Sequence, residues 1–333
     1  MNTGGNKDSW KLIVSFSVLV IVSLLVLFAG RYPRVGMLNP LTLSSDPIAR
    51  SLVFNLRFPR VLTAVLLGVV LSGAGMVFQM IFSNPLVEPG FLGVSQGAAF
   101  GAAFSIVFIS TSAWVIQSTA AVSAIAGLFI SYVIAKKVKF GGWVLRLILS
   151  GIAVSALFSA GVGILKYTAD PMKDLPEITF WMLGGLWSIT WSGFFTILPV
   201  VSVSIIVLLF MRWRLNILSL NDETAFSLGL APERERLLFL LTATAATAAV
   251  VSVSGIVSWV GLIIPHISRR VFRTDTRYSL PGSMILGGIF TLLCDTFARM
   301  LFPGEIPLGV FTSFLGSGIF IILLMSRNIK VEK

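Results

Sequence analysis

Long apolar runs broken by short polar segments dominate this chain, and their spacing predicts helices rather than strands. Leu12–Ala29 is apolar without a charge, and comparable runs recur to the end of the sequence. About 20 such residues cross a bilayer as a helix. The pattern predicts about ten spans: 11–30, 58–82, 92–110, 113–135, 143–167, 190–211, 235–253, 258–273, 280–301 and 306–326. A further short helix over 176–187 is expected at a membrane surface. The fold class expected is all-α, one polytopic membrane domain over 1–333, with both termini on one side. Lys7 and Lys11 before the first run resemble the start of a signal peptide. The run is long for that role and no small-residue cleavage site follows, so it reads as a retained first helix.

One polar island interrupts the pattern. Residues 216–236, NILSLNDETAFSLGLAPERER, carry Leu218, Leu220, Ala225, Leu228 and Leu230 at amphipathic rather than spanning intervals. Asp222 and Glu223 suit a helix N-terminus, and Ser219 or Asn221 could cap it. Gly229 and Pro232 end it. A membrane protein with one sizeable polar segment of this kind is expected to use it to touch another protein.

Composition agrees with the pattern. Of 333 residues, 56% are hydrophobic and 12% charged, against about 25% charged in soluble domains. The single cysteine, Cys294, excludes an internal disulfide and a thiolate cluster, and the single histidine, His266, excludes a histidine-rich metal site. No metal is expected. His266 follows Pro265 near a helix end and reads as a packed or capping residue. The net charge of +11 sits between apolar runs, so it reads as topology rather than nucleic-acid binding. With the termini inside, most of the 25 basic residues fall on inner segments, among them Lys136, Lys137, Lys139, Arg212, Arg214, Arg234, Arg236, Arg269, Arg270, Arg273, Arg277, Arg327, Lys330 and Lys333. That places both termini and the island in the cytoplasm. Arg31, Arg34, Arg50, Arg57 and Arg60 crowd an outer loop against this bias and need another reason.

The remaining signals are local. Gly93, Gly97 and Gly101 recur every fourth residue and mark a face for close helix packing. Asn84–Gly90, NPLVEPG, reads as a non-helical connection. Asp295 and Arg299, four apart, read as an ion pair at a helix end. No phosphate-binding GxxxxGK[ST] loop, GxSxG, HExxH or CxxC pair occurs, so neither ATP hydrolysis through such a loop nor a recognisable enzyme site is expected.

Four segments together carry a resemblance. These are LRFPRVLTAVLLGVVLSGAGMVFQMIFSNPLVEPGFLGVSQGA at 56–98, LNILSLNDETAFSLGL at 215–230, VGLIIPHISR at 260–269 and LLCDTFARMLFPGEIPLGVFTSFLGSGIF at 292–320. The chain resembles, essentially end to end, the FecCD/BtuC-like permease subunits of type II ABC importers, which take up iron-siderophore, haem and cobalamin. It departs from their pattern at Gly255–Trp259 and at Ser317-Gly318. The resemblance implies ten helices per subunit in a bacterial or archaeal cytoplasmic membrane. It implies a second permease subunit (homodimer or close heterodimer), two cytoplasmic ATPase subunits that hold ATP and Mg, and an extracytoplasmic binding protein. No cofactor is implied on this chain. Coupling to the ATPase falls on Leu218, Ser219, Asp222, Glu223, Ala225, Leu228 and Gly229, with Leu218, Ala225 and Leu228 as anchors and the two acids facing cationic partners. Docking of the binding protein falls on Arg57, Arg60 and Arg299. An iron-siderophore is the expected cargo, with haem, cobalamin, or molybdate and tungstate as alternatives. An ion-gradient transporter would want more intramembrane acids than this chain offers.

Overall fold

Phe58–Ile81 is the helix around which the molecule is arranged, because small residues stud it on several sides. In the computed structural model, which describes residues 3–32, 34–302 and 304–325, this helix is α3. Before it come α1 (Thr3–Phe28), an antiparallel pair β1 (Ala29–Gly30) and β2 (Gly36–Met37), and a short α2 (Pro47–Ser51). Then follow α4 (Val94–Phe108), α5 (Ala113–Lys137), α6 (Trp143–Thr168) and α7 (Asp174–Leu183). The chain continues with α8 (Trp191–Leu218), α9 (Asp222–Ser227), α10 (Pro232–Ser254), α11 (Val260–Phe272), α12 (Thr276–Leu301) and α13 (Leu308–Met325).

The all-α expectation holds. Among the described residues, eight helices are long and apolar enough to cross a membrane. With α4 and α11 they match the ten expected segments one for one. Those two are short because each begins at a break inside the protein. Helix α4 starts at Gly93, whose φ of +81° places it in the left-handed region. Helix α11 starts at Trp259, with φ +74°. Unwound backbone at membrane depth survives only where protein covers it, and here it does: Ser131 Oγ donates to the Leu92 carbonyl just before α4, and the Gly185 N–H to the Ser254 carbonyl ahead of α11. Helix α8 runs past the expected end at 211 because Leu215 and Leu218 stay buried and Asn216 is tied to Thr276 of α12. The short helix expected over 176–187 is α7.

Helix α3 packs against α8, α10, α11 and α12, while α4, α5 and α6 form a second layer. A side chain at Gly68 would collide with the Gly287 carbonyl of α12, and one at Gly75 with the Gly261 carbonyl of α11. These approaches let dispersion and backbone contacts replace the hydrophobic effect, which is weak between helices in lipid. Lys11 Nζ donates to the Val271 carbonyl at 2.8 Å, near the end of α11, and the start of α12 bonds to Asn216 at the end of α8, so α1 begins at the same end of the bundle as α9. Among the basic residues used to orient the chain, Arg327, Lys330 and Lys333 lie outside the described residues, as does the last residue of the tenth span.

Candidate coupling and docking sites

The polar island folds as a short helix clamped to the bundle. Asn221 caps α9 through its side chain, which accepts from the Thr224 N–H at 2.9 Å. Gly229, at φ +85°, lets the chain turn, and the Leu230 N–H donates to the Ala225 carbonyl at 3.1 Å. That is the left-handed helix stop glycine permits most readily. Pro232 then opens α10. Arg236, on the first turns of α10, donates to both oxygens of Asp222 at 2.7 and 3.2 Å. Arg214 of α8 pairs with Glu235 at 2.6 Å. Three helices are thereby fixed together at one end.

This geometry corrects two expectations. Leu218 and Ala225 are buried within the chain itself, so they hold α9 in place instead of entering a partner. Asp222 is engaged by Arg236 of its own chain, which leaves Glu223 as the acid free to face outward. The apolar surface that α9 does present is Phe226, 72% exposed, and Leu228, 58% exposed. Ser219 and Gly229 lie beside it, also exposed. Phe226 was absent from the expected set; one residue on from Ala225, it lies about 100° round the helix and so off the buried face.

At the other end, the arginines gather around a cavity of about 380 Å³. Arg31, Arg57, Arg60 and Arg299 line it, with Glu305 and Trp187. Arg60 donates from Nε to Asp295 at 3.1 and 3.0 Å and from Nη2 at 2.9 Å, while Nη1 reaches Glu305 at 3.0 Å. Asp295 is 1% exposed. The i, i+4 pair expected between Asp295 and Arg299 is the looser one at 3.9 Å, because Arg60 takes the carboxylate face-on. Arg299 Nη2 donates to the Val26 carbonyl at 3.0 Å. Arg57, 6% exposed, has no ion pair among the described residues; its Nη1 shares the carbonyls of Leu27 and Phe28 at 3.3 and 3.2 Å. The three docking candidates are thus sunk in the cavity wall rather than projecting from a surface. The carboxylates and carbonyls that offset the cost of burying them account for this placement. Nearby, Tyr32 donates to Asp46 at 2.8 Å, which holds that carboxyl below the usual carboxylate range and pushes the Tyr32 phenol up.

Gly97 and Gly101 face α5 so closely that a side chain would meet the carbonyls of Ser123 and Thr119, and Gly93 lies against Gly127 and Val154. The Asn84–Gly90 connection is irregular, with Asn84 Oδ1 accepting from the Leu86 N–H at 2.9 Å. His266 Nε2 lies 3.2 Å from the Pro85 carbonyl and ties α11 to this connection.

The FecCD transport family matches residues 12–326. The chain belongs to that family. Known members lie close along nearly their whole length. The molybdate import system permease protein MolB of Haemophilus influenzae is 36% identical over 92% of this chain and 93% of that one. The iron(3+)-hydroxamate import system permease protein FhuG of Bacillus subtilis is 33% identical over 98% of this chain and 100% of its own length. Among solved structures, an inward-facing transporter assigned to the metal-chelate ABC type is 34% identical, covers 95% of this chain and 99% of its own, and superimposes with a TM-score of 0.88. This FecCD chain is a membrane-spanning ABC transporter permease with the BtuC-like arrangement of helices. The site residues that sequence reasoning missed are Phe226, Arg236 and Glu305. The last two act through partners 14 and 245 residues away in sequence, a separation no local pattern reports.

Proposed function

We propose that this permease imports an iron-siderophore chelate across the cytoplasmic membrane, driven by two separate ATPase subunits and fed by an extracytoplasmic binding protein. The observation that carries the coupling role is α9. Its first acid, Asp222, and its buried Ala225 are tied to the permease, while Phe226, Leu228 and Glu223 are exposed. A rigid helix presenting two apolar anchors suits a groove on a partner. Both termini and α9 lie in the cytoplasm on this reading, and two copies of the permease, or this chain and a close relative, enclose the pathway. The arginine cavity lies outside. It holds four guanidinium groups against Glu305 and the Asp295 behind it, a positive excess that receives carboxylates of the binding protein. Arg57, which has no acid of its own, carries most of that role.

The hydroxamate permease supports iron-siderophore as cargo. A molybdate or tungstate oxyanion is the second reading, supported by the Haemophilus relative; haem and cobalamin are the remaining family cargoes. Binding assays on the cognate binding protein separate them. Nanomolar binding of a ferric hydroxamate or catecholate is expected, and binding of molybdate with no chelate affinity would overturn the cargo assigned here.

A further inference from the structure

The end of α8 and the start of α12 are joined by a polar clasp. Thr276, fully buried, donates from Oγ1 to the Arg212 carbonyl at 2.5 Å and to Asn216 Oδ1 at 2.8 Å. Its N–H donates to the same Oδ1 at 3.0 Å, and Asn216 Nδ2 donates to Asp275 at 2.8 Å. The clasp sets Arg212 and Arg277 on one cavity of about 520 Å³, whose other walls are Leu209, Phe210 and Trp213. Among the described residues neither arginine has an ion pair. Arg212 Nη1 reaches only the Leu209 carbonyl, at 3.3 Å, and Asp275 is occupied by Asn216 and by the Arg277 N–H at 2.9 Å. Two like charges on a rigid scaffold, with Arg277 in the first turn of a 26-residue helix, favour an anion between them.

A second feature says which anion. Val200, Val203, Ile206 and Phe210 form an exposed apolar stripe along α8, ending at Trp213; Phe210 is 80% exposed. The spacing of three and four places them on one face of the helix. The stripe runs from the apolar middle of α8 up to the two arginines. We propose that this clasp binds one anionic phospholipid, its phosphate held between Arg212 and Arg277, its glycerol region beside Trp213 and an acyl chain along Val203, Ile206 and Phe210. A free phosphate would use the arginines but not the stripe. A lipid uses both, and aromatic residues with arginine at a helix end are the usual boundary anchors.

The test is native mass spectrometry of the full-length permease in mild detergent, titrated with phosphatidylglycerol and with phosphatidylcholine. The expected result is preferential retention of phosphatidylglycerol. Each of Arg212→Gln and Arg277→Gln should weaken it about fivefold and the double variant roughly 25-fold, from about one charge interaction per arginine. Lys139→Gln, an equal charge change elsewhere, should change nothing. Arg212→Lys with Arg277→Lys, which keeps charge and fold, should retain most of the binding. Equal loss in Lys139→Gln, or full binding in a folded double glutamine variant, overturns the proposal. So does competition by inorganic phosphate or glycerol phosphate as effective as the lipid, which would make this a free-anion site. Loss of the ATPase partner rather than of lipid in the double variant would overturn it as well.

Discussion

Asp295→Ala tests the electrostatic design of the arginine cavity. Asp295 is 1% exposed and accepts from Arg60 at 2.9 to 3.1 Å. Truncating it leaves Arg60 with the half-exposed Glu305 and Arg299 with one carbonyl. Removing one partner of a buried pair costs about 3–5 kcal/mol. Glu305 keeps part of the compensation, so the lower end, about 3 kcal/mol, applies. At about 2 °C per kcal/mol for a chain of this size, the midpoint should fall by roughly 6 °C. Glu305→Gln removes an exposed partner and should cost under about 1 kcal/mol. Arg60→Met with Asp295→Leu replaces the pair by apolar groups of similar size and should recover most of the loss. The assay is thermal unfolding in detergent, followed by fluorescence-detected size exclusion. An Asp295→Ala midpoint within about 1 °C of the parent, or a larger loss in Glu305→Gln, would refute the assignment of Asp295 as the counter-charge.

Other consequences follow from the same geometry. Gly97→Leu drives a side chain into the Ser123 backbone and should reduce folded yield and uptake; unchanged yield with full uptake would exclude close packing of α4 on α5. Phe226→Asp and Leu228→Asp should each weaken ATPase association by tenfold or more, the scale of an interface anchor, while Leu218→Asp should unfold the permease instead; co-purification unaffected by the first two would remove α9 from the interface. Gly229→Val forces a branched side chain to φ +85° and should cost on the order of 1–3 kcal/mol, read as a lower midpoint. Arg57→Glu should reduce affinity for the binding protein, with the loss shrinking as salt screens the interaction; equal affinity at low and high salt would argue against docking through this cavity.

Much of this architecture was legible in the sequence because apolar length is a strong signal when water is absent from the core. All ten helical segments, the surface helix and the island could be read from run length and spacing. The unwound starts of α4 and α11 could not, since Gly93 and Trp259 take positive φ only in the packed context of other helices. The glycine repeat at 93, 97 and 101 was visible because it is periodic. Gly68 against Gly287 and Gly75 against Gly261 were not, because each partner lies about 200 residues away. Local spacing suggested Asp295 with Arg299, yet Arg60, 235 residues distant in sequence, takes the carboxylate. In α9 the amphipathic pattern was right, but with six residues it could not say which face turns inward. The fold buried Ala225, beside Leu218 at the end of α8, and left Phe226 and Leu228 outside.

The most direct test of the function is uptake into proteoliposomes holding this permease and its ATPase, with the binding protein supplied outside. The account predicts accumulation of the ferric chelate only when ATP is present on the α9 side, and its loss in Phe226→Asp and Leu228→Asp. Accumulation without ATP, driven by a proton or sodium gradient, would contradict it.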